Sequence, residues 1–229
     1  KKSFSIKNIS YTEAMEMSHF GTKVIHPPTM QPALNKNIPI RIKNTLNPEF
    51  EGSVISLKTS SALTIKGIST IKNIVLLRVQ GGGMVGVTGI SRRLFGSLAR
   101  AEINIILITQ ASSEHSICFV IKLEESKKAK TAIEEEFELE IEAKKINEVI
   151  IEKDLSIIAI IGENMRHKPG VSGKMFQALG QNGINVVAIA QGSSELNISA
   201  VIPNKDTSKA INTLHDSFFL SGTKSLNLF

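Results

Sequence analysis

The chain contains no tryptophan, one tyrosine and one cysteine. It also lacks any apolar stretch of the roughly 18 residues that a membrane-spanning helix requires. Each shortage excludes something. Cys118 has no partner for an internal disulfide, and it sits in the apolar run 117–121 where a small buried hydrophobe is expected; no histidine or base motif accompanies it to make a nucleophile. With no spanning segment, and with Lys1-Lys2-Ser3-Phe4 in place of a signal peptide's apolar core, the sequence reads as a cytoplasmic protein with no membrane partner. The five histidines are scattered singly, and neither metal-ligand spacing nor paired carboxylates occur, so no metal site and no catalytic residue is expected in this stretch.

A net charge of +6 invites a nucleic-acid reading, and the missing aromatics argue against it. Residues 1–60 hold eight Lys/Arg against four Asp/Glu, and residues 61–229 hold nineteen against seventeen, so most of the chain is nearly neutral. Nucleic acid is not expected as a partner.

What is present is a duplication. NIILITQASSE (104–114) and NVVAIAQGSSE (185–195) stand 81 residues apart, and the match runs without a gap from Gly81/Gly162 through Met84/Met165, Gly89/Gly170, Ser91/Ser172, Phe95/Phe176 and Leu98/Leu179 to Ile121/Ile202. A constant offset across several elements means one structural unit copied in register. The first copy reads as strand 64–69, strand 73–80, helix 88–102, strand 103–110, strand 115–121 and helix 125–137. The second reads as strands 146–151 and 154–162, helix 170–183, strands 184–190 and 195–202, and helix 205–216. The links between the third and fourth strands are too short for a crossover helix, so those strands are antiparallel. The unit is βαββαβ, an α+β sandwich of ferredoxin-like type, and tandem copies are expected to share one antiparallel sheet.

Ahead of the repeat, Ser10-Tyr-Thr-Glu13 is a capping box opening a helix over 11–20, and Pro27-Pro28 opens a second. Ile38–Ile42 alternates like an edge strand. These sixty residues hold about two helices and two strands, too little for a core of their own, and read as the tail of a larger domain.

Gly81-Gly-Gly83-Met-Val-Gly86 satisfies the dinucleotide pattern, but its second and third glycines become Asn164 and His167 in the other copy. A small anion is the better use of such a loop. A free amino acid has a carboxylate that takes N–H donors and an ammonium that takes oxygen acceptors; Gly81 and Gly83 amides would serve the first, and the Gln110 and Gln191 carbonyls the second. Met84 and Ile108, with Met165 and Ile189, would form the apolar floor. Asn104, Asn185, Ser113 and Glu114 complete the duplicated polar set.

A βαββαβ pair with a Gly-rich turn after the first strand and Asn at the head of the third element resembles tandem ACT domains, the amino-acid-sensing modules of biosynthetic enzymes. YTEAMEMSHFGTKVIHP (11–27) followed by IPIRIKNT (38–45) resembles the end of an aspartokinase α/β kinase domain, and ILITQASSEHSICFVI (106–121) is similar to the threonine-sensitive bifunctional aspartokinase/homoserine dehydrogenases. The resemblance implies residues 1–60 as the kinase tail, 61–145 as the first ACT domain, and 146–229 as the second with the start of a linker to a dehydrogenase. It implies threonine as effector at Gln110, Gln191, Ile108 and Ile189, and homodimerisation through the ACT domains. It places Lys23 on nucleotide phosphates of the parent kinase. ATP with magnesium and NADP would serve the parent enzyme, with no cofactor here. The family's Lys-Phe-Gly-Gly motif is absent, so the stretch reads as a regulatory segment, inactive alone. A lysine-sensing region and a ligand-free dimerisation module remain as alternatives.

Overall fold

The computed structural model describes residues 4–21, 25–57, 63–110 and 115–220. Its first part holds strand β1 (Asn8–Ser10), helices α1 (Tyr11–His19) and α2 (Pro27–Asn35), and strands β2 (Ile40–Ile42) and β3 (Ser53–Ser56), in sheet order β1-β3-β2. The capping box is formed at α1: the Ser10 hydroxyl accepts from the Glu13 amide and the Glu13 carboxylate accepts from the Ser10 amide, both at 3.0 Å. Ile9, Tyr11, Ala14, Met30 and Ile55 bury a small core here, where none was expected. The extra strand supplies it. β1 spans too few residues to show a periodicity, and it pairs in parallel with β3.

The duplicated part contributes β4 (Gly67–Gln80), α3 (Ile90–Arg100), β5 (Leu107–Gln110), β6 (Ser116–Lys122), α4 (Ser126–Glu136), α5 (Glu138–Glu142), β7 (Ile150–Ile161), α6 (Val171–Gln181), β8 (Ala188–Ala190), β9 (Asn197–Pro203) and α7 (Thr207–His215). Six strands form one antiparallel sheet in the order β5-β6-β4-β7-β9-β8. The paired strands expected at 64–69 and 73–80, and at 146–151 and 154–162, are instead two long ones. Asn73 (φ 57°) and Asp154 (φ 58°), where the second strand of each pair was expected to begin, lie inside the long strands, and the β4–β7 register shifts beside them. Asn and Asp tolerate the left-handed conformation, so these positions bulge and bend the strand without ending it.

Helices cover one face of the sheet. Val75, Leu77 and Val79 pack with Leu94, Leu98, Ile133 and Phe137 in the first unit, and Ile158 and Ile160 with Met175, Leu179 and Leu214 in the second. Each such side chain contributes about 1.5–3 kcal/mol when fully buried. The opposite face curls on itself, for Leu107 from one edge strand and Ala188 from the other join one buried cluster with Phe20 of the tail. Among the described residues no helix is long and apolar enough to cross a membrane.

The sheet does not follow the sequence boundary at 145/146. Residues 67–71 pair with Ile157–Ile161 of β7, and Ile65 and Ile68 pack into the second unit's core; Ile150 and Ile151 pair with Arg78 and Leu77, and Ile146, Val149 and Ile151 pack into the first unit's core. The second unit therefore takes its fourth strand from ahead of the first unit.

Candidate functional site

The glycines after β4 are explained by close approach of the protein to itself. A Cβ on Gly81 would lie 2.2 Å from the Lys145 carbonyl oxygen, and one on Gly83 2.5 Å from the Lys145 Cβ. Their amides are also engaged: Gly81 donates to the His115 carbonyl at 3.1 Å and Gly83 to the Lys145 carbonyl at 2.9 Å. The expectation that these two amides serve an anion is corrected by this geometry. They anchor the loop that leads onward.

That loop runs through Gly86 and Gly89 (φ 70° and 91°) into α3, whose N-cap Gly89 offers no side-chain acceptor. The first amides of a helix have no intrahelical acceptor, and the macrodipole makes them attractive to an anion. Beside them is a cavity of about 270 Å³ lined by Met84, Gly86, Val87, Thr88, Gly89, Ile90, Ser91, Gln110 and Ile117. Buried Met84, Ile90 and Ile117 form its floor. Gln110, at the end of β5, and the Thr88 and Ser91 hydroxyls supply polar groups. The helix itself is locked from behind. Arg93 Nε donates to Glu136 at 2.9 Å, Arg93 also bonds Glu140, and its guanidinium lies 4.5 Å from the centre of the Phe137 ring. Hydrogen bonds from Arg93 hold both carboxyls below the usual carboxylate range and push the guanidinium further up.

The equivalent place in the second unit is closed by its own side chains. The His167 amide, counterpart of Gly86, donates to a Glu195 carboxylate oxygen at 2.7 Å, and the His167 ring nitrogen Nδ1 lies 3.8 Å from the other. The Ser172 hydroxyl donates to the Gln191 side-chain oxygen at 3.3 Å. Glu195 thus holds an amide of the loop that leads into α6.

Of the residues expected from sequence, Gln110 and Met84 come together. Ile108 is 47% exposed and lines a different cavity, of about 300 Å³, with Glu16, Phe20, Ala190 and Asn197 between the two edge strands; Ile189 is exposed on the matching strand. Asn104 lines a wider groove of about 790 Å³ with His19, Lys72, Asn73 and Lys122, and Asn185 is exposed. Lys23, Ser113 and Glu114 lie outside the described residues. Thr88 and Ser91, which line the Gln110 cavity, and Glu195, which holds the His167 amide, were not among the residues expected from sequence, although the Ser91/Ser172 match was a usable signal.

The ACT domain family matches residues 77–137 and 158–218. The chain is a tandem ACT protein. Over 225 residues it is 43% identical to a bifunctional aspartokinase/homoserine dehydrogenase of Haemophilus influenzae, covering 98% of this chain and 28% of that enzyme. Aspartate kinase of Clostridium acetobutylicum superposes with a TM-score of 0.84 at 27% identity, over 93% of this chain and 49% of that one. Aspartokinase III of E. coli, solved with lysine and aspartate, gives a TM-score of 0.74 at 28% identity, over 93% of this chain and 46% of that one. This ACT pair corresponds to the regulatory region of aspartokinases, and the chain spans about a quarter of the length of the bifunctional relative.

Proposed function

We propose that this ACT pair senses threonine and feeds it back on an aspartokinase, of the bifunctional aspartokinase/homoserine dehydrogenase kind, in aspartate-family amino-acid synthesis. The observation that carries the reading is the cavity that brings Gln110 to the N-terminus of α3 over an apolar floor. The α-carboxylate takes the amides of the first turn, the ammonium takes the Gln110 oxygen, and the side chain rests between Met84 and Ile117 with its hydroxyl toward Thr88 or Ser91. Gln191 with Met165 performs the same role in the second unit once Glu195 is displaced. Feedback then requires threonine to favour an inactive arrangement, and a coupling of about 1–3 kcal/mol gives roughly 5–150-fold control. ATP with magnesium and NADP belong to the larger enzyme. A homodimer through the ACT edge strands fits the exposed Ile108 and Ile189.

Lysine is the second reading, because the E. coli aspartokinase III neighbour was solved with it. The resemblance of residues 106–121 to threonine-sensitive enzymes supports the first reading over it. Thermal unfolding with threonine, lysine and methionine tests the assignment. A ligand at 100 times its Kd adds about 2.7 kcal/mol, a rise of roughly 5–10 °C at this size. A rise with threonine alone supports the proposal; a rise with lysine alone transfers the site to the second reading, and no rise leaves the pair without an amino-acid ligand.

A further inference from the structure

Glu13 is 1% exposed, a rare place for a carboxylate. One of its oxygens closes the capping box on the Ser10 amide, and the other accepts from the Glu163 amide at 2.9 Å. Glu163 begins the turn after β7, the counterpart in the second unit of the turn that leads to the Gln110 cavity. The turn is short and stiff: Met165 N–H donates to the Gly162 carbonyl, Arg166 to Glu163 and Lys168 to Met165. Its far end is the His167 amide, which Glu195 holds. Two carboxylates thus grip one turn at its two ends, Glu195 at the His167 amide and Glu13 from the first turn of α1. The next turn of α1 is tied to the same unit, for the Asn197 amide donates to Glu16 at 2.8 Å.

From this arrangement we infer that Glu13 is a positioning residue that transmits the state of the second effector position to α1, and through α1 to the kinase tail. The inference rests on the amino-acid-sensing reading above. When an effector bound at the start of α6 displaces Glu195 from the His167 amide, the stiff turn moves as a body, and the Glu163 amide changes its hold on the carboxylate that caps α1. The helix start then shifts or loosens. The two carboxylate oxygens each accept from a backbone amide, and a side-chain amide, with a single acceptor oxygen, cannot hold both.

The test is amide hydrogen exchange across residues 11–19 of this chain, with and without threonine, alongside calorimetric threonine binding. Two variants address the link from its two sides. Glu13→Gln keeps the shape and turns one of the two accepting oxygens into an NH2 donor, and Glu163→Pro removes the donor N–H at the first position of a 3₁₀ turn, where proline's fixed φ is tolerated. Ser10→Ala, which breaks the other half of the capping box, is the control for a merely structural effect. In wild type and Ser10→Ala, threonine is expected to alter exchange in α1; in Glu13→Gln and Glu163→Pro it should bind with similar affinity and leave α1 unchanged. Without any ligand, Glu163→Pro should already speed exchange in the first turn of α1 at least about tenfold. Threonine-driven change at α1 persisting in both variants overturns the inference, as does wild-type binding with no change there. Failure of threonine to bind wild type removes the sensing assignment, and the ligand-free comparison still decides whether the turn controls α1: unaltered exchange in Glu163→Pro overturns the link.

Discussion

Ile74 pairs with Leu155 across the two central strands, and the two residues occupy the same position of the two copies, 81 residues apart. The sheet's pseudo-twofold axis passes between them. The pairing Ile71–Ile157 on one side is repeated as Leu76–Glu152 on the other, and Asn73 and Asp154 bulge immediately before the axial pair. Valine at either bulge must adopt a left-handed conformation that costs about 1–2 kcal/mol, whereas glycine does not. Asn73→Val and Asp154→Val should each lower the urea midpoint accordingly, and Asn73→Gly should stay near wild type.

Gly81 and Gly82 are neighbours with opposite tolerance. A methyl on Gly81 meets backbone atoms at 2.2 and 2.6 Å, and one on Gly82 meets nothing within 4 Å. Gly81→Ala is expected to cost about 2 kcal/mol or more by forcing Lys145–Ile146 away from the strand end, and Gly82→Ala to stay within about 0.5 kcal/mol. Chemical denaturation of the two variants side by side measures the difference.

The two units should differ in their response to substitution at the effector position. Gln110→Ala removes an exposed side chain, so it should weaken threonine binding at least tenfold with little change in stability. Glu195→Ala should do the reverse in the second unit, strengthening threonine binding by freeing the His167 amide. Titration calorimetry on both variants reads affinity and stoichiometry together; unaltered binding in Gln110→Ala would place the ligand elsewhere.

Arg93 gives the fold a pH dependence of known sign. Glu136 and Glu140 have carboxyls lowered by its hydrogen bonds, so their contribution is complete above the ordinary carboxylate value of about 4.3 and is lost as pH falls through the lower folded values. Arg93 is 38% exposed, which reduces the worth of the network, and Arg93→Met should cost about 1–2 kcal/mol at pH 7. That cost should shrink below about pH 4. Melting curves of both proteins from pH 7 to pH 3 measure it.

The duplication, the capping box at Ser10 and the apolar helix faces were all legible in the sequence, because each is a local pattern of fixed period. The bulges were not, since Asn73 and Asp154 between apolar runs carry the same signal as a turn, and only pairing with another strand tells the two apart. Gln110 stood out in the sequence because it recurs as Gln191. Glu13 was read correctly as a cap and its second bond was missed, for the Glu163 amide is 150 residues away and nothing local announces it. Gly81 was legible as a site of close approach, while the identity of the approaching group, Lys145 instead of a ligand, depended on tertiary structure.

Residues 67–71 complete the second unit's sheet, and the remaining strands of that unit follow residue 152. The first copy is therefore inserted into the second and held at both of its ends. No single cut releases two intact domains: truncating the chain up to residue 73, within β4, strips an edge from the far copy, and excising residues 74–152 leaves that copy's closing strand joined to it by a different path. A duplication settled in this form cannot be undone by deleting one half of the gene segment, so the two copies are kept or lost together, whatever each of them binds.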